Sequence, residues 1–149
     1  MILDISFKKI TRIFLILFCI QAFVISVFAA ELKCAVCGMP LGEYSKNHII
    51  LKAKGKEPMH VCSLSCAKKM LKHDPSYVEV LVRDFNHPEK TLSGEAAFFL
   101  VRSEKIKNDL GDNVMGPYFG SFSSEAEANA AQKKYGEGNV VKGIQNAIK

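Results

Sequence analysis

The sequence predicts an α+β protein made of two related β-β-α-β units, the first carrying a cysteine metal site. Three observations predict it. Short runs rich in β-branched and aromatic residues are separated by helix-length stretches with apolar residues at helical spacing. The order strand, strand, helix, strand occurs twice. Four cysteines of the first unit stand in two tight pairs, Cys34-Ala-Val-Cys37 and Cys62-Ser-Leu-Ser-Cys66. The division is residues 31–86 for the first unit and 87–149 for the second, with 1–30 as a leading segment.

In the first unit, His48-Ile-Ile-Leu-Lys-Ala53 reads as a strand and Lys54–Pro58 as a turn, followed by a short strand from Met59 to Cys62. Ser63 is placed to cap a helix running to about Lys72, with Ala67, Met70 and Leu71 at helical spacing, and His73-Asp74-Pro75 ends it. Tyr77 to Phe85 is the strongest strand signal. In the second unit, Glu95–Val101 suits a strand, although its apolar run also fits a buried helical turn. Asn108–Gly116 reads as a polar loop that leaves Asp109 and Asp112 solvated, and Tyr118–Phe122 as a strand. Ser124-Glu-Ala-Glu127 has capping-box spacing, so a helix is expected to Tyr135 with Gly136 as a left-handed terminator. Asn139–Ile144 closes the unit as a strand. Set one on the other, Val61-Cys62-Ser63-x-x-Cys66 falls on Ser121-Phe122-Ser123-x-x-Ala126, sixty residues later.

The leading segment points to export. Lys8, Lys9 and Arg12 precede an almost unbroken apolar run, Ile13 to Ala30, that ends in Val27-Phe28-Ala29-Ala30. Small residues at that place predict a signal peptide cleaved after Ala29 or Ala30. The run is also just long enough to span a bilayer, so an uncleaved anchor is the alternative. Either way residues 31–149 are expected outside the cytoplasmic membrane, periplasmic or otherwise extracytoplasmic, secreted or tethered near the membrane. Without Lys8, Lys9, Arg12 and Asp4 the chain keeps 17 basic and 14 acidic residues, a net +3. That mild excess gives no footprint for nucleic-acid binding. No Ser-His-Asp set, phosphate-cradling loop or paired carboxylates suggest an enzyme.

Cys34, Cys37, Cys62 and Cys66 offer up to four sulfur ligands, a set suited to Zn(II) or to a soft ion such as Cu(I). The spacing C-x2-C-x24-C-x3-C resembles a treble-clef or TRASH-type knuckle, in which a knuckle faces a helix N-terminus that favours thiolates. Two local disulfides remain an alternative, since export permits them. A thioredoxin-like redox role fits less well, because Gly38-Met39-Pro40 after Cys37 breaks a helix. Met39, two residues from Cys37, and Met115, in a Gly-rich loop, are candidate thioether ligands, which suit Cu(I) far better than zinc. Met59 and Met70 read as core filler. His60 shares a strand face with Cys62 and is a candidate ligand or supporting residue, whereas His48, His73 and His87 read as solvated.

The second half resembles the NosL family, the extracytoplasmic accessory proteins of nitrous-oxide reductase. The likeness runs through Val82-Arg-Asp-Phe, Glu95–Val101, Val114-Met115-Gly116-Pro117, Phe119–Ala126 and Tyr135-Gly-Glu-Gly-Asn-Val-Val141. It implies an α+β fold of two β-β-α-β units and a Cu(I)-carrying role in assembling a copper enzyme, with Met115 as the methionine of the Met-Gly motif. Two features set this chain apart from the family's commonest pattern. No lipid-attachment cysteine directly follows the apolar segment, and the first unit carries the two cysteine pairs.

The expectation is therefore a non-enzymatic metallochaperone that binds one Cu(I), with Zn(II) as alternative, and delivers it to a recipient copper protein or membrane assembly complex. Its rivals are a structural zinc module and a thiol-disulfide redox protein.

Overall fold

The computed structural model describes residues 31–149 other than 43, 44, 112, 113 and 115. The signal or anchor, with Ala29 and Ala30, and Met115 and Asp112 lie outside the described residues. Among the described residues no helix is long and apolar enough to cross a membrane.

The first sheet contains β1 (Ile49–Lys52), β2 (Met59–Val61) and β3 (Glu79–Arg83), with α1 (Leu64–His73) between β2 and β3. A strand absent from the sequence reading, β4 (Thr91–Ser93), lies past residue 86 and completes this sheet in the order β2-β1-β3-β4. Three residues with only Leu92 half-buried are too few to show a period-two pattern. The second sheet contains β5 (Phe98–Val101), β6 (Phe119–Phe122) and β7 (Asn139–Lys142), in the order β6-β5-β7. The two units thus share one topology. The first strand is central, its hairpin partner lies on one side, and the strand after the helix lies antiparallel on the other.

Both helices start where the sequence predicts. Ser63 accepts a hydrogen bond from the Cys66 amide, and Ser124 with Glu127 forms a reciprocal capping box opening α3 (Glu125–Tyr135). These caps also correct the repeat alignment by one residue. Ser63 corresponds to Ser124, so Cys62 and Cys66 fall on Ser123 and Glu127 rather than on Phe122 and Ala126. The predicted polar loop opens as a short helix, α2 (Lys107–Leu110), because Leu110 is buried and Asp109 is held by Lys134 (2.6 Å) and the Tyr135 hydroxyl (2.5 Å). Asp109 is therefore an ion-pair partner, not merely a solvated loop residue. Gly94–Ala96 form a turn before β5, and the last strand stops at Lys142, with Gly143 leading into α4 (Ile144–Ala147).

Two cores follow from the alternation of side chains. Ile49, Leu51 and Val82 of the first sheet pack with Leu64 and Ala67 of α1 and with Phe99 and Phe119 of the second sheet. The other face of the second sheet, through Leu100 and Phe122, meets Phe85, Ala128, Ala131 and Tyr135. Side chains one apart on a strand point to opposite faces, so Phe99 and Leu100 are both fully buried yet serve different cores. Ser121 ties the sheets: its carbonyl accepts from the Phe85 amide (2.7 Å) and its hydroxyl donates to the Arg83 carbonyl (2.5 Å).

Candidate metal centre

The first cysteine pair lies on a tight hairpin closed by a bridge between Lys33 and Pro40. The Cys34 amide donates to the Met39 carbonyl (2.8 Å), and the Gly38 amide donates to the Cys34 carbonyl (2.9 Å), with Gly38 at φ 72°. This knuckle docks on the free edge of β2, where the Ala35 amide donates to the His60 carbonyl (2.8 Å). An edge strand has unpaired backbone groups, and here one of them holds the knuckle over the start of α1. The second pair straddles the helix cap. Cys62 immediately precedes Ser63, and Cys66 lies one turn on, at the residue whose amide Ser63 caps.

All four sulfurs consequently lie within 4.8 Å of one another, with Cys37 Sγ 3.4 Å from Cys62 Sγ and Cys62 Sγ 3.9 Å from Cys66 Sγ. All four thiols are free. An ion bound to four sulfurs at about 2.3 Å separates them by about 3.8 Å, so the cluster accommodates one with only small adjustments. Cys34, Cys62 and Cys66 are buried, whereas Cys37 is exposed. The site is a sulfur pocket with one ligand at its mouth.

The thiols are electrostatically unequal. Burial raises the Cys34 pKa, but hydrogen bonds from the backbone at Cys37, Val36 and Cys62 outweigh it and bring the thiol down to about 7. Burial pushes the Cys62 thiol up, reinforced by its contacts with Cys37 and Cys34. Cys66 is also raised, by burial first, while the Ser63 hydroxyl partly opposes the shift. One thiolate therefore forms readily, and the remaining sulfurs are ones that a bound cation would help to deprotonate.

The other predicted site residues are distributed around this cluster. Met39 ends the knuckle, half-buried against the first core. His60 Nδ1 is 2.7 Å from His48 Nε2, and the four-sulfur group does not include His60. His73 and His87 are exposed, but His48 is buried rather than solvated. Burial, followed by the nearby His60 and Arg83, pushes its pKa down to about 4 and keeps the ring neutral. It lies against His60 of β2, and its carbonyl accepts from the Arg83 amide (3.2 Å).

Asn47 was also not singled out by sequence. It is buried, and its side-chain amide donates to the Cys62 carbonyl at 2.7 Å. A polar pair, Asn47-His48, directly before a buried strand is the signal that could have revealed it. Asn47→Ala leaves that carbonyl unpaired. It is expected to cost about 1–2 kcal/mol of stability by urea unfolding and about tenfold in Cu(I) affinity by chelator competition.

Fold and centre together define a small α+β protein with a metal-competent four-thiol site between a knuckle and a helix cap. The NosL family model matches residues 26–145, and the chain belongs to the NosL family. Among solved structures, the crystal structure of the copper chaperone NosL from Shewanella denitrificans is similar, with 26% sequence identity and a TM-score of 0.60. The match covers 78% of this chain and 90% of that one. No curated protein matches the chain.

Proposed function

We propose that this chain is an extracytoplasmic metallochaperone that carries one Cu(I) on sulfurs drawn from Cys34, Cys37, Cys62 and Cys66 and passes it to a recipient protein. The observation that carries the reading is the convergence of four sulfurs within 4.8 Å with one of them, Cys37, exposed. A closed cage suits a permanent structural ion, whereas a ligand at the mouth allows an incoming thiol or thioether to replace it stepwise. The likeness to a protein described as a copper chaperone supports copper as cargo, and thiolates with a thioether such as Met39, at the end of the same knuckle, suit Cu(I). The role is carriage, not catalysis. Nitrous-oxide reductase, or the membrane complex that assembles it, is the recipient the family membership suggests. Export through the leading segment, cleaved at Ala29 or Ala30 or kept as an anchor, would place the protein beside it.

Structural zinc is the second reading, favoured by sulfur spacings that suit a tetrahedral Zn(II) as well. The full chain, reduced and loaded with Cu(I) or Zn(II), is challenged with a competing chelator and then with an apo copper acceptor. Tight Cu(I), released to the acceptor and lost in Cys34→Ser/Cys37→Ser while circular dichroism of the metal-free protein is unchanged, is the expected result. Unfolding when zinc is withdrawn would establish the structural reading instead.

A further inference from the structure

We infer that Cys37 is the redox entry point of the metal-free protein: exchange with a small external disulfide joins it to Cys62, across the two cysteine pairs, and a bound metal ion blocks the reaction. The consequence for copper rests on the copper-carrier reading, whereas the bond itself rests on the geometry of the thiols alone.

Access selects the first sulfur. Cys34, Cys62 and Cys66 are 2%, 1% and 9% exposed, and Cys37 is the exposed member of the cluster. It stands on the knuckle between half-buried Val36 and exposed Gly38, so a dissolved disulfide meets it before any other thiol of the site. Distance selects the second sulfur. Cys62 Sγ lies 3.4 Å from Cys37 Sγ, closer than the 3.9 Å that separates Cys62 from Cys66, although the two are 25 positions apart in the chain. An approach of roughly 1.4 Å brings the pair to the disulfide bond length of about 2.05 Å. Cys34 is the competing nucleophile. Its sulfur, however, is held by backbone hydrogen bonds at Cys37, Val36 and Cys62, which it would forfeit by attacking. A thiolate stabilised in that way is also intrinsically less nucleophilic.

The exchange balances with the external disulfide, RSSR, as the oxidant. The Cys37 thiolate attacks one of its sulfurs, forms the mixed disulfide Cys37–S–S–R and expels RS⁻. The Cys62 sulfur then attacks Cys37 Sγ, the second RS⁻ leaves, and the protons of the two cysteines end on the released thiolates. Two cysteine thiols are thereby oxidised and one external disulfide is reduced to two RSH. The bond removes the mouth ligand and the sulfur that contacts both Cys37 and Cys66, so the oxidised site keeps Cys34 and Cys66 alone. An ion in the site engages the same sulfur lone pairs that the exchange needs, so the loaded site resists it. The carrier closes only when empty, and a thiol reductant must reopen it before it reloads.

In the test the full chain, reduced and metal-free, meets oxidised glutathione without oxygen, is quenched with iodoacetamide and is mapped by peptide mass spectrometry. Mapping also separates Cys19 of the leading segment from the four cysteines of the site. A Cys37–Cys62 disulfide is expected, with Cys34 and Cys66 remaining as thiols. Cys34→Ser should still form it, and Cys37→Ser should slow oxidation of the remaining three thiols by about tenfold or more. Cu(I) affinity of the oxidised chain is expected to fall by about 100-fold or more and to return on reduction. The Cu(I)-loaded chain should oxidise at least about tenfold more slowly than the empty one. Cys34–Cys37 or Cys62–Cys66 as the main product, a glutathione adduct that never resolves, or equal rates for the loaded and empty chains would each overturn the inference. A chain that maps as expected but binds no Cu(I) when reduced removes the copper-carrier reading and leaves the disulfide. Tight Cu(I) binding without a Cys37–Cys62 bond removes the redox entry point alone.

Discussion

Cys62→Ser in the full chain is expected to lower Cu(I) affinity by on the order of 100-fold in chelator competition, with circular dichroism of the metal-free protein unchanged. A four-thiolate site that contributes roughly 10–16 kcal/mol yields about 3 kcal/mol per ligand, or about two powers of ten. Cys62 is the most informative position because its sulfur lies closest to the mouth ligand, 3.4 Å from Cys37, and also contacts Cys66 at 3.9 Å. Serine nearly preserves the side chain's size but replaces a soft sulfur with a hard oxygen, so the loss reports ligation rather than packing. Cys37→Ser provides the contrast. That residue is exposed, so its loss should alter the rate of handover to an acceptor as well as affinity. If Cys62→Ser retains wild-type Cu(I) affinity, the sulfur cluster is not the carrier site.

The reason the scaffold can host such a site is visible in its second copy. At the corresponding cap, the Ser123 hydroxyl donates to Glu127 Oε2 at 2.6 Å, and Glu127 also accepts from the Ser124 amide. Cys62 and Cys66 occupy those same two places in the first unit. The capping-box geometry that brings a hydroxyl to a carboxylate therefore also brings one thiol to another, and both arrangements draw on the amide-rich start of a helix, which favours negative charge. The second unit uses this corner to stabilise its own helix. The first uses the same corner to present sulfur, and the knuckle docked on β2 supplies the other two atoms.

This logic explains which parts of the protein were legible from sequence. Ser63 and Ser124 mark their helices because capping is a local interaction written within four residues. The strands with β-branched alternation were equally legible. The alignment of the two units slipped by one residue because it set Ser63 on Ser123 instead of on the cap Ser124, which the capping-box spacing to Glu127 already marked and whose backbone (φ −139°, ψ 157°) is that of a cap. Thr91–Ser93 and Ile144–Ala147 carry too few residues to establish a period, so tertiary contacts decide them: the Gly94 amide bonds to the Val80 carbonyl and the Ile144 amide to the Gly94 carbonyl. The convergence of Cys34 and Cys37 on Cys62 was suggested by spacing, but the contact that achieves it, Ala35 to His60, is a backbone bond with no side-chain signature. Asn47 and His48 were missed for a related reason, since burial of polar residues beside a strand depends on what later packs over them.

Gly138→Ala is expected to destabilise the fold by about 3 kcal/mol, several times the cost of Gly136→Ala, although the two glycines are two residues apart in one motif. Gly136 terminates α3 at φ 70° and has nothing within 4 Å of where a Cβ would stand. Its replacement therefore bears only the left-handed penalty of roughly 1 kcal/mol. Gly138 has φ 91°, and a Cβ there would lie 2.8 Å from the Val101 carbonyl oxygen and 2.9 Å from Leu100 Cδ1. The carbonyl belongs to the central strand β5 and cannot swing aside, so overpacking of about 1–3 kcal/mol adds to the backbone strain. The Gly138 carbonyl also accepts from the Gln132 side chain at 2.7 Å, so displacement of this loop disturbs α3 as well. Urea unfolding should show a lower midpoint for both variants with unchanged slope, and a much larger drop for Gly138→Ala. Equal costs would mean that backbone conformation alone accounts for the pair and that β5 yields to the added methyl. The unequal result would show that Gly138 is required by a neighbouring strand, which ties the loop after α3 to the packing of β5 at Leu100 and Val101.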